Sequence, residues 1–155
     1  MEISIQNDLV YPVETIIDCE VIYSDSANIR VLLNAKEMNR YSSDTNYIEF
    51  KNGLKVQFFD DHGKKESELS SDYAIIDEEN NIMKAQHNVI VRNIDGNILE
   101  SETLSWDQEN EKIYTNDFVK ITTKKEVILG HGFESNQYFS KYSIKKIKGT
   151  IVLSN

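Results

Sequence analysis

Asp72-Tyr73-Ala74-Ile75-Ile76-Asp77-Glu78-Glu79-Asn80 and, 30 residues further on, Glu102-Thr103-Leu104-Ser105-Trp106-Asp107-Gln108-Glu109-Asn110 follow one pattern. In each, a short run closes on an aliphatic or aromatic residue and an acidic turn follows. Asn88-Val89 then falls on Phe118-Val119 at the same offset. The unit reads as a strand, a turn and a second strand closing on valine. Less regular copies precede it from Leu33 to Val56 and follow it from Gly130 to Ile151. A hairpin exposes an apolar face that only its neighbours can cover, so units of this kind must layer into a long sheet sandwich or jelly roll.

Outward from the repeat, strand signals dominate. Leu54-Lys55-Val56-Gln57-Phe58, Asn88-Val89-Ile90-Val91-Arg92 and Phe118-Val119-Lys120-Ile121 alternate in the strand period and are rich in β-branched and aromatic residues. Asn52-Gly53 and Asp95-Gly96 supply the positive φ of tight hairpins, and Asp60-Asp61-His62-Gly63 reads as a longer turn. The single proline, Pro12, precedes the first clear strand, where it removes no interior ladder bond. No window of eleven or more residues holds an uninterrupted helical stripe; the best attempt, Ala35 to Tyr41, is read as one helical turn between strands.

Composition narrows the function. A chain of 155 residues suits one domain, and 39% hydrophobic residues with a mean hydropathy of -0.49 suit elements buried on one face only. A net charge of -9 opposes a phosphate backbone, so nucleic acid is not an expected partner. The densest basic stretch, Lys141 to Lys148, is read either as a place to meet an anionic headgroup or as lysines blunting an edge strand. Cys19 is alone, so no internal disulfide forms, and its context reads as structural. Met1 and Glu2 open a mixed segment without the basic start and apolar run of a signal peptide.

Catalytic signatures are missing. His62, His87 and His131 have no partner at a metal-ligand spacing and read as turn or surface residues. Gly130-His131-Gly132 lacks the third glycine and the helix of a dinucleotide site. Asp77 and Asp107 would be the carboxylate pair of a glycosidase, but their equivalent places in repeated acidic turns favour a structural role. The expectation is a non-enzyme without cofactor or metal.

Several segments, in shared order and spacing, resemble a known family: Tyr23-Ser24-Asp25-Ser26, Gly53-Leu54-Lys55-Val56-Gln57-Phe58-Phe59-Asp60, Asp72-Tyr73-Ala74, Asn93-Ile94-Asp95-Gly96, Glu102 to Asp107, Tyr114-Thr115-Asn116 and Gly130-His131-Gly132-Phe133. They resemble the LptC-like periplasmic component of lipopolysaccharide export, from Val21 to Val152. The resemblance implies an all-β, open β-jellyroll of two stacked antiparallel sheets over residues 21–155, with residues 1–20 unassigned. It also implies a carrier at the periplasmic face of the inner membrane. Such a carrier takes lipopolysaccharide from an ABC transporter complex with LptF/LptG-type subunits and passes it to an LptA-like periplasmic bridge protein. The resemblance further implies that the native protein is anchored, by a transmembrane helix or a lipid, with the anchor expected to lie outside these 155 residues. LptA and LptD share the repeated unit, so an LptA-like bridge protein is the alternative within the superfamily, and an adhesive β-repeat module with a sealed core is the alternative outside it.

Alternation places Leu54, Val56 and Phe58 on one face, and likewise Ala74 with Ile76, Val89 with Val91, Leu104 with Trp106, and Val119 with Ile121. Together with Phe133 these line a groove for acyl chains if the sheets part along one side, and a closed core if they do not. Terminal strands should leave free edges: Val21 to Tyr23 and Ile29 to Leu33 toward the transporter, and Tyr142 to Ile144 and Thr150 to Leu153, with Ile151, toward the bridge protein.

Overall fold

The computed structural model describes residues 11–42 and 44–154; the opening at Met1 and Glu2, read for a signal peptide, lies outside them. Among the described residues the alternating runs form ten strands: β1 (Glu14–Asp25), β2 (Asn28–Ser42), β3 (Asn46–Phe59), β4 (Lys65–Ser71), β5 (Tyr73–Asp77), β6 (Ile82–Asn93), β7 (Ile98–Asp107), β8 (Lys112–Thr122), β9 (Glu126–Asn136) and β10 (Tyr142–Val152). Every pairing is antiparallel, in the order β1-β2-β3-β4-β6-β7-β8-β9-β10, and β5 continues the line of β4 between β3 and β6. No helix among the described residues is long and apolar enough to cross a membrane.

The strands are longer than the sequence suggests because most of them carry an irregularity midway. Asp18 in β1, Asn52 and Gly53 in β3, His87 and Asn88 in β6, and Gly132 in β9 all have positive φ. The ladder also shifts between Ala35 and Glu37, Ser101 and Ser105, and Thr115 and Phe118. The registers align these points from strand to strand, and bulges stacked in this way bend a sheet. One ten-stranded sheet therefore folds along a spine into two layers. Phe58 of β3 and Trp106 of β7 are far apart in strand order, yet their rings meet edge to face at 5.1 Å across the layers.

The inner faces make apolar rungs. In one layer Leu33, Val56, Leu69, Val91, Leu99, Ile121 and Ile128 are successive ladder partners, and in the other Ile76, Met83, Trp106 and Ile113 are. Near the spine the inward residues shrink to Ala35, Ser71, Ala74, Ala85 and Gly130, because the layers converge there. A Cβ on Gly130 would lie 2.7 Å from Ile144 Cγ2 and 2.7 Å from the Lys146 carbonyl oxygen. Only glycine admits β10 at that distance.

Asp95-Gly96 and Asp60 to Gly63 form the expected turns between β6 and β7 and between β3 and β4. Asn52-Gly53 does not close a hairpin; it is the spine bend of β3, where Gly53 at φ 100 donates its N–H to Asp72 O at 2.9 Å. Ala35 to Tyr41 is not a helical turn. Its broken alternation is the bulge of β2, which leaves Met38 and Asn39 both buried. In both cases the same local chemistry, a residue tolerant of positive φ or an extra residue, bends a strand instead of ending it.

The offset of 30 is structural as well. Asp77 and Asp107 each open a turn by accepting backbone and Asn bonds, from Glu79 N and Asn80 Nδ2 and from Asn110 N and Nδ2. Asn81 and Glu111 close those turns at φ 55 and 54.

Candidate functional site

Opposite the spine, the turns of the two layers form two rows with a mouth between them. Leu54, Val56, Phe58, Ala74, Ile76, Val89, Val91, Leu104, Trp106, Val119, Ile121 and Phe133 all lie buried between the layers, so one interior gathers the twelve residues expected to line it. Val31, Leu33, Leu69, Met83, Leu99, Ile113 and Phe139 share that interior. Most of these sit one register step from the residues already named; Phe139 lies in a loop, where no alternation marks it.

The mouth is hollow at the end nearer β1. A cavity of about 420 Å³ reaches inward from Tyr23, Asp25 and Arg30 on one layer, and from Gln108 and Glu111 on the other, to Val31 and Trp106. Its floor is apolar and its rim charged, the division expected of a site for a guest with one apolar and one polar end. Arg30 is engaged at the rim by Asp25 at 3.4 Å and Asp61 at 3.2 Å. Its guanidinium is held above the usual arginine value, chiefly by its bond to the Tyr138 hydroxyl, so it stays charged. Deeper in, Trp106 Nε1 donates to Gln137 Oε1 at 3.1 Å, which satisfies a buried indole N–H. Val56, Leu69, Leu99 and Ile113, which share the interior with Trp106 and Phe58, are fully buried.

The carboxylates offered as a glycosidase pair are committed elsewhere. Asp77 and Asp107 sit below the ordinary carboxylate range because the side-chain amides of Asn80 and Asn110, and then backbone N–H groups, bond their charged forms. A carboxylate so held is a poor proton donor. Cys19 is buried with Sγ 3.7 Å from Met38 Sδ, and burial, reinforced by Glu14, raises its thiol value, which disfavours the reactive thiolate. His62 lies in the β3–β4 turn, His87 at the spine with Nδ1 2.8 Å from Glu102 Oε1, and His131 on an outer face against Phe118.

Among the described residues, β1 and β10 are the outer strands, each paired on one side only. Ile29 to Leu33 lies in β2, held between β1 and β3, so of the two upstream segments only Val21 to Tyr23 offers a free edge. Downstream, Tyr142 to Ile144 and Thr150 to Val152 belong to one bent strand. Ile151 is exposed, whereas Tyr142 and Ile144 turn partly into the core, with the Tyr142 ring 5.2 Å from Phe139 and 6.0 Å from Phe133. Lys145, Lys146 and Lys148 are exposed along β10.

A sheet folded into two layers, apolar inside, hollow at one mouth and ending in free strands on both sides, is an open β-jellyroll. The chain belongs to the LptC family: the family model described as "Lipopolysaccharide-assembly, LptC-related" matches residues 19–151. It is therefore a protein of lipopolysaccharide transport, from a family that works in the periplasm of Gram-negative bacteria and is not known for catalysis. A search of curated proteins finds no match.

Proposed function

We propose that this chain is a carrier that receives lipopolysaccharide from an inner-membrane ABC transporter complex with LptF/LptG-type subunits and passes it to an LptA-like periplasmic bridge protein. The observation that carries this reading is the hollow at the mouth, which leads from a charged rim down to the buried side chains of Val31 and Trp106. Acyl ends enter there, and the twelve lining residues named above receive the chains as the layers part. Burying a methylene from water is worth about 0.8 kcal/mol, while moving it from bilayer to protein exchanges one apolar medium for another. Binding is thus close to neutral, and direction comes from the transporter.

A photo-crosslinking side chain at Val31 or Trp106 should capture lipopolysaccharide, and one at exposed Ile22 should not. Equal labelling at all three positions would sink the reading in favour of a sealed adhesive module. The hand-off is placed on β10. Ile151→Asp should lower affinity for the bridge protein by about tenfold, the effect of a typical interface anchor, with thermal stability unchanged. Undiminished binding would remove β10 from the docking surface.

A further inference from the structure

The loop between β9 and β10 does not stay in its own row of turns. From Asn136 it crosses the mouth, and its bonds tie the two layers together. On the near side, Gln137 N donates to Glu111 O at 3.0 Å, while the Gln137 side chain accepts from Trp106 and donates to Glu111 Oε1 at 3.2 Å. On the far side, Ser67 Oγ donates to Gln137 O at 2.8 Å and Asn93 Nδ2 to Phe139 O at 2.6 Å. Arg30 Nη2 donates to the Tyr138 hydroxyl at 2.8 Å, and that hydroxyl donates to Phe59 O at 3.3 Å. The Phe139 ring is fully buried, 5.7 Å from Phe133.

We infer that residues 137–139 are a strap that closes the mouth, with the Arg30–Tyr138–Phe59 bonds as its latch, and that an acyl guest enters the interior only when the strap lifts. Three observations support this, and it rests on the carrier reading above. The hollow of about 420 Å³ stops at the strap, and a lipid anchor with several acyl chains needs far more room. The latch stands at the half-exposed rim, where a ligand's polar head can compete for Arg30. Phe139 holds a positive φ of 54, an uncommon conformation for a bulky residue and one that buried packing must maintain. Lifting the strap releases that strain, which lowers the cost of opening at this one point.

The test ties the strap down reversibly. In a Cys19→Ala background, Arg30→Cys and Tyr138→Cys are joined by a cleavable bifunctional thiol reagent. Uptake of lipopolysaccharide and of a long-chain fluorescent fatty acid is then followed before and after cleavage. The joined protein should take up both at least about tenfold more slowly than the cleaved protein, and Tyr138→Phe should load about tenfold faster than wild type, the scale of one bond to a charged group. Equal rates before and after cleavage overturn the strap. If neither form takes up lipopolysaccharide, the carrier reading falls, and the fatty-acid rates alone decide the strap.

Discussion

Along the spine, the layers are joined by bonds between neighbours in the sheet and by small side chains; along the mouth, among the described residues, the side-chain bonds across come from one loop. At the spine Asp72 N donates to His87 O at 3.0 Å, Asn88 Nδ2 to Asp72 Oδ2 at 2.7 Å, and Ser101 Oγ to Phe118 O at 2.9 Å. Each of these bonds satisfies backbone or polar groups that the bulges leave out of the ladder. At the mouth the bonds join residues as distant as Arg30 and Tyr138, and they converge on three positions. A margin satisfied strand by strand is permanent, whereas one held by a single loop can open without costing the sheet its ladder. The fold thus places the margin bonded strand by strand and the margin bridged by a loop on opposite sides.

The largest expected effect tests the mouth. Trp106→Ala removes a buried indole and leaves Gln137 Oε1 without its donor, and it should cost about 3–5 kcal/mol in denaturant unfolding. A loss below about 1 kcal/mol would mean that the layers barely depend on the contact of Trp106 with Phe58. Next comes the spine. Gly130→Val drives a side chain into Ile144 and the Lys146 carbonyl and should cost about 1–3 kcal/mol. Amide exchange should rise first along β10 while β6 and β7 stay protected. Uniform exchange through all strands would show that the spine is not the local joint described above.

The smallest effect separates turns from both margins. Asp77 and Asp107 have folded values below the ordinary 3.8, so their contribution is complete above that value and is lost as pH falls through the lower folded one. Asp107→Asn should therefore make the fall in melting temperature below pH 3.8 shallower, with a minor change at neutral pH and no change in lipid uptake. An unchanged acid limb would show that the Asx bonds of this turn do not couple to folding.

Much of this molecule follows from its sequence alone. The period-2 alternation, the 30-residue repeat and the Asp-led turns are local properties, and they specified an all-β chain whose inward residues, from Leu54 to Phe133, share one interior. Tertiary structure alone decided where strands bend and what closes the mouth. Asn52-Gly53 carries the same positive-φ signal whether a hairpin closes or a strand turns a corner, and only pairing with β4 and β5 on either side selects the corner. The strap lay beyond sequence reading for a simpler reason: Gln137, Tyr138 and Phe139 take their roles from Arg30, Ser67 and Asn93, and bonds between residues so far apart in the chain leave no periodic mark on it.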